Sequence, residues 1–490
     1  MTVLARGGGS PEPQAEVNSD LVSRDLPATG YRHGQARFAV VDELTCYYDR
    51  PAEPANVHVE ARVPSRLDVP AMRAAVRAVL DAEPGLRARQ KATSRWQSGF
   101  YWEHRDAPDV DPVETASFAD ENELDRVRSA HLSQSPPLRV SPPLRFLIAS
   151  GPGGDALILN AHHARTDGLS CLRLLRMVAS EYSAQVGAVL ARGGDPPEPP
   201  ACRGASRCRL PSSLVAAAPL SSVQAASRPD AAGGAGSTRG SLPWASITKI
   251  AREPERGPAG ARHGYGVRQF TWDGLPDAAW LRSAGISVND LLIGALIITI
   301  GDWNAAHARK PGLIRITMPV GDRAQAGADG VWANTSRLTS VAARVAGDAV
   351  ALDLLADVAA QTRHAKEQTG PQVDFFSRAL AAAPIPVLIK DRVLRTALGL
   401  GGSFLCDTCL VSNLGVVEPV RFGPTDASHL WFSTFAHMPR GLSLGALTTA
   451  GTLHLAFRYR HALFSDQAAA DFAGRYAQAL SRLASREAAS

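Results

Sequence analysis

His162-His163-Ala164-Arg165-Thr166-Asp167-Gly168 decides how this sequence is read. An apolar run, Ala156–Asn160 (ALILN), stands just before it, and Leu169–Val186 (LSCLRLLRMVASEYSAQV), apolar at helical spacing, stands just after. The order predicts a strand, a short loop and a helix. A histidine at the exit of a strand reaches into a cleft while its backbone stays rigid. Its near-neutral pKa lets it take a proton from a hydroxyl, an amine or a thiol. Asp167 is expected to anchor the loop through an arginine or through backbone amides. Gly168 permits a tight turn or a positive φ before the helix. His162 is expected to turn into the core in a structural role.

Working outward, residues 1–35 are polar, rich in glycine and proline and without hydrophobic period, which predicts disorder. Residues 36–190 form a first subdomain. It holds a strand over Val57–Val63, a helix over Pro70–Leu80, the turn Glu83–Arg89 (EPGLRAR), a helix over Phe118–Leu132 and a strand over Leu144–Ala149. Residues 191–262 read as a linker, partly disordered, rich in Gly, Pro, Ser and Ala. Residues 263–485 form a second subdomain. Its strands are Gly266–Trp272, Leu313–Val320, Thr408–Asn413, Leu430–Ala436, Leu442–Ala450 and Thr452–Tyr459. Its helices are Val288–Ala306, capped by Ser287, Val350–Thr369 and Asp466–Leu483. Interleaved helices and strands predict an α/β or α+β class.

Composition narrows the function classes. The chain has 490 residues, is 45% hydrophobic and 20% charged, and carries a formal charge of +5. That excludes collagen-like, coiled-coil and wholly disordered chains. Six cysteines are too few for a disulfide framework. The longest apolar run, Leu291–Ile300, falls short of the roughly 20 residues a membrane span needs and reads as a buried helix. No signal peptide is read at the N-terminus, so the expected compartment is the cytoplasm. The basic residues are scattered arginines with no nucleic-acid-binding signature, so no nucleic-acid partner is expected.

The pattern HHxxxDG resembles the signature of the coenzyme A-dependent acyltransferase superfamily. That group includes chloramphenicol acetyltransferase, condensation domains of nonribosomal peptide synthetases and stand-alone polyketide-associated acyltransferases. Val411-Ser412-Asn413-Leu414-Gly415 resembles the SNxG segment of stand-alone members. Met318-Pro319-Val320-Gly321-Asp322-Arg323 resembles the PVxxR strand end, and Trp332-Ala333-Asn334-Thr335 the segment after it, with Ala333 in place of glycine. The DFGWG segment of many relatives is absent.

The resemblance implies two chloramphenicol-acetyltransferase-like subdomains set in a V, a pseudo-dimer with a central tunnel. It implies His163 as general base, Asp167 as a structural residue paired or unpaired with Arg323, and Ser412 or Asn413 at the oxyanion. It implies no metal. The donor would be an acyl-CoA or a phosphopantetheinyl carrier protein, and the acceptor a small alcohol or amine. A monomer is expected, because two fused subdomains complete one site. A condensation-like protein with altered chemistry (cyclisation, epimerisation), or one that recruits partners to carrier-bound intermediates, is the alternative. Direct attack by the acceptor on the thioester requires no enzyme nucleophile. The Cys406/Cys409 pair lacks a second pair for zinc and a thioredoxin-like context. Cys171 is expected in the core. His429, His437 and His454 fall on predicted strands, as packing or tunnel-facing residues.

Overall fold

The computed structural model describes residues 35–191, 247–254, 264–321, 332, 337–344, 351–367 and 375–485. Arg323, Asn334, Cys202, Cys208 and the first 34 residues lie outside the described residues. The chain runs β1 (Gln35–Arg37), α1 (Val40–Tyr48), β2 (Asn56–Val63), α2 (Val69–Ala82), β3 (Arg89–Gln90), β4 (Tyr101–Glu103), β5 (Val113–Ser117), α3 (Glu121–Leu132), β6 (Leu144–Gly151), β7 (Gly154–His162) and α4 (Gly168–Ala191). It continues β8 (Tyr265–Trp272), α5 (Ala278–Ser283), α6 (Val288–Ala306), β9 (Leu313–Val320), β10 (Arg337–Arg344), α7 (Ala351–Glu367), α8 (Phe375–Ala382) and α9 (Val387–Leu405). It closes with β11 (Cys409–Val416), β12 (Arg421–Phe422), β13 (Thr425–Asp426), β14 (His429–Thr434), β15 (Leu442–Thr449), β16 (Thr452–Arg460) and α10 (Asp466–Ala484).

Two large mixed sheets organise the fold. The first has the order β14-β2-β7-β6-β5 and the second β10-β9-β11-β15-β16-β8. Every residue of β7 is buried, as a central strand covered on both faces must be. α2 starts at Asp68, whose carboxylate accepts from Ala71 N, and carries Pro70 in its first turn. α6 starts with a Ser287/Asp290 capping box. Leu291 through Ile297 are all buried, because α6 is wedged between the second sheet and helices α7 and α10.

The second core starts earlier than residue 263. Ile250 and Ala251 are buried in it, Ala251 N donates to Asn304 Oδ1 and Trp303 Nε1 donates to Ala251 O. Chain position and sheet membership also part company. β14, from the second half of the chain, pairs along β2 and completes the first sheet. β14 then crosses β15, and here Gly445 is required. A Cβ on it would stand 2.0 Å from the Phe432 carbonyl oxygen.

Where the sheets meet, the filling is polar. Glu60 on β2 receives both arms of Arg128, at 2.6 and 2.8 Å, and a third bond from Gln269 on β8. His58 joins Glu60 to Ser433 of β14. Arg458 of β16 bonds the Asn56 side chain and the Leu132 carbonyl, with its guanidinium over the Tyr265 ring. Burial alone would raise the Glu60 carboxyl, but Arg128 and His58 outweigh it and hold it far below the carboxylate range. A buried charge set of this kind tolerates little sliding between the sheets.

Candidate active site

β7 delivers the two histidines. His162 is its last residue, and its Nδ1 accepts from Ala164 N at 3.1 Å. Nε2 then carries a proton and faces Asp49 Oδ2 at 3.4 Å, an ion-pair distance rather than a well-formed hydrogen bond. Burial works against ionisation of Asp49. His162 and the Ala55 amide outweigh it and hold the carboxyl below its usual range.

His163 is one step past the strand. Its backbone N donates to Ala55 O, and its ring meets Phe435 edge-on at 5.2 Å. Burial is the largest influence on the imidazole and holds it below its usual range. A hydrogen bond to its own backbone and the charge of Asp167 act the other way.

The loop after His163 is built from backbone bonds. Arg165 N and Thr166 N both return to His162 O. The Arg165 guanidinium bonds Gly85 O and lies over the Trp102 ring at 5.0 Å, which ties the loop to the Glu83–Arg89 turn. Asp167 caps α4, its Oδ1 accepting from Ser170 N at 2.8 Å. Of the two anchors the sequence allows, the backbone amide is formed among the described residues.

The sequence allows Gly168 a tight turn or a positive φ. Gly168 opens α4 without a positive φ. What it allows is close approach. A Cβ would stand 2.7 Å from the Phe432 ring and 2.9 Å from Leu414 Cδ2. Gly168 is therefore where the first motif touches the Val411–Gly415 segment. On that segment Ser412 is buried on β11 in register with Gly445. Asn413 Oδ1 accepts from Gly415 N at 2.8 Å, and Gly415 takes a φ of 78°. The Asn413 carbonyl is thus engaged in its own turn, which leaves only its amide group to face outward chemistry. Trp332 meets the Glu83–Arg89 turn, its Nε1 donating to Glu83 at 2.8 Å and the Arg173 guanidinium lying over its ring.

Sequence reasoning missed Asp49 and Phe435. Asp49 ends a helix with no periodic signal, and Phe435 follows a strand whose sheet the sequence does not name. His437 lies tilted against Phe435, 4.5 Å between ring centroids, and burial with Arg440 nearby pushes it down to about 3. His429 and His454 instead pack on Trp431. Cys171 and Cys409 are buried free thiols, and burial pushes Cys409 up to about 12. Among the described residues no cluster of three or more His, Cys, Asp or Glu is arranged to hold a metal ion. No helix among them is long and apolar enough to cross a membrane. A cavity of about 400 Å³ abuts the motif, lined by His162, Asp49, Cys46, Gln90 and Arg139 among others.

This fold is the condensation-domain-like fold of coenzyme A-dependent acyltransferases, with two chloramphenicol-acetyltransferase-like subdomains. The first condensation domain of the calcium-dependent antibiotic synthetase, solved with a substrate analogue, superposes with a TM-score of 0.57 at 14% identity, over 92% of this chain and 96% of that one. Polyketide synthase associated protein 5 from Mycobacterium tuberculosis gives 0.54 at 15% identity, over 92% and 97%. A starter condensation domain of rhizomide synthetase, in complex with C8-CoA and Leu-SNAC, gives 0.56 at 15% identity, over 92% and 95%. In sequence, the uncharacterized protein Rv2305 of Mycobacterium tuberculosis is 28% identical over 449 residues, 91% of this chain and 98% of that protein. No protein-family model matches the chain.

Proposed function

We propose that this protein is an acyltransferase that moves an acyl group from a coenzyme A or carrier-protein thioester to a hydroxyl or amine. His163 is the general base. The observation that supports this most is the ring of His163: it sits at the exit of a rigid buried strand and bonds its own backbone. A backbone bond that favours the protonated ring is one the ring donates, so the opposite nitrogen is the basic one. Burial keeps that nitrogen unprotonated near neutral pH, as a base requires.

The step balances without an enzyme nucleophile. His163 takes the proton from the acceptor O–H or N–H as it attacks the thioester carbonyl. The C–S bond breaks, and the thiolate leaves with the proton His163 has carried. Asp167 acts from a distance: it caps α4, holds the loop and favours the imidazolium that forms. Ser412, or the amide group of Asn413, donates to the oxyanion, a contribution of about 10²–10³-fold for one donor.

The test is thiol release from acyl-CoA and acyl-carrier donors with pooled alcohol and amine acceptors, with product masses recorded. Acceptor-dependent release is expected, and His163→Ala is expected to lower it about 10²–10⁴-fold without loss of folding. Full activity in the folded variant would remove His163 from the reaction.

A further inference from the structure

We propose that the outward face of the first turns of α9, together with Trp96, docks this protein on an anionic membrane surface. These turns are amphipathic in reverse. Leu388 is 59% exposed, Ile389 49% and Val393 42%, while Lys390 between them is fully buried. Trp96, 75% exposed, lies on the loop tied to the start of α9 by the bond from Val387 N to Gln97 O.

The inversion is fixed in place. The Lys390 ammonium donates to Ser98 O and Ala381 O at 2.6 Å each and sits 3.4 Å from Glu43 Oε1. Tyr47 donates to the same Glu43 oxygen. Turning the helix to hide Leu388 and Ile389 would pull the ammonium from all three partners and leave Glu43 buried without its cation. The apolar side chains are therefore held outward.

Their surroundings are basic. Arg95, whose guanidinium lies 5.7 Å from the Trp96 ring, lines one cavity with Leu388, Arg139 and Arg395. Arg392 stands one turn beyond Leu388 on the exposed side. The acids lining that cavity are Asp391, on which Arg395 forks, and Asp49 beside His162. An exposed tryptophan with three aliphatic side chains, flanked by arginines, matches a lipid headgroup layer: the apolar groups enter the acyl boundary and the guanidinium groups meet phosphates. A stable protein partner needs about 800 Å² on each side, more than a patch of four apolar side chains presents. The cavity is also lined by His162, so the docking face and the histidine motif border the same space. The inference stands without the acyl-transfer reading, because docking is measured without turnover.

The experiment is co-sedimentation of the full chain with vesicles of phosphatidylcholine alone and of phosphatidylcholine mixed with phosphatidylglycerol. Binding is expected to the mixed vesicles and to weaken with salt. Leu388→Asp is expected to abolish it, and Arg95→Gln and Arg392→Gln to weaken it about fivefold each. Val416→Asp, at an 86% exposed site on β11, is expected to bind as the wild type does. Thermal unfolding checks that each variant is folded. Equal recovery with both vesicle types, or wild-type binding by folded Leu388→Asp, overturns the proposal. So does Leu388-dependent binding of a purified acidic carrier protein in the absence of any vesicle binding, which would give the face to a protein partner.

Discussion

Gly168→Ala tests whether the two motif segments are held by close packing. The added Cβ would lie 2.7 and 2.8 Å from two carbons of the Phe432 ring and 2.9 Å from Leu414 Cδ2. Ordinary contact needs roughly 3.5–4.0 Å between carbons, so each neighbour must retreat by most of an ångström. Both are buried, Phe432 between β14's partners and Leu414 in the first core, and neither can swing into solvent. Overpacking of this kind costs about 1–3 kcal/mol. Alanine in place of glycine at a helix start returns at most about 1 kcal/mol. The expected net loss is about 1–2 kcal/mol by denaturant unfolding. Leu414 moves with the strand end that carries Ser412 and Asn413, so turnover should fall more than stability does. Leu414→Val removes much of the clash. Alone it leaves a small void and costs about 1 kcal/mol, but combined with Gly168→Ala it should cost less than the two single losses added together. Unfolding curves and thiol release for the four proteins of the cycle carry the test. Strict additivity of the two losses, or a neutral Gly168→Ala, would refute the packing argument.

Asp167→Asn keeps a capping side chain, whereas Asp167→Ala loses one and should cost about 1 kcal/mol in denaturant unfolding. Both remove the charge that raises the His163 imidazole, so the acidic limb of the pH–rate profile should move to lower pH in both. Glu60→Gln takes the buried carboxylate from Arg128 and leaves it the half-exposed Asp125, so the loss should fall at the lower end of about 3–5 kcal/mol. Because the folded Glu60 carboxyl lies below its unfolded value of 4.5, its contribution is present above that pH and is lost as pH falls beneath it. The variant should therefore show a smaller loss of melting temperature on acidification than the wild type. Asp42 behaves oppositely. Burial raises its carboxyl from 3.8 to about 7, so the folded state holds a proton that the unfolded state has released, and stability falls as pH rises between those values. Asp42→Asn should raise the melting temperature at pH 8 and change it little at pH 4. An equal gain at both would remove the titration from the explanation.

Local signals carried much of the fold. α6 and β9 begin and end where the apolar periods and Ser287 predict. β7, the loop and α4 follow the order read from the histidine motif. The elements that escaped are those held by distant partners. α1, with the sequence VVDELTCYY, has β-branched and aromatic residues and no side-chain cap. It is held by Tyr47 packing with Leu380 and Leu394 and by the Glu43–Lys390 pair. α9 hides a lysine and exposes leucine and isoleucine, which inverts the period a sequence reader relies on. β14 reads as a strand from its alternation, but alternation does not say which sheet receives it. The site divides in the same way. Asp167 announces a cap by standing before an apolar helix, whereas Asp49 meets His162 only once the chain has folded.

The placement of β14 bears on how the chain is made. Until β14 emerges from the ribosome, β2 is an edge strand with its pairing groups open. His58 waits for Ser433, 375 positions later, an interval on the order of tens of seconds at common elongation rates. During that interval the nascent first sheet is a template for any passing strand. An N-terminal fragment ending in the 191–262 region would remain in that condition permanently. Production of the first subdomain alone should therefore give aggregates, and a synthetic peptide spanning residues 429–434 should bind it by adding the missing strand.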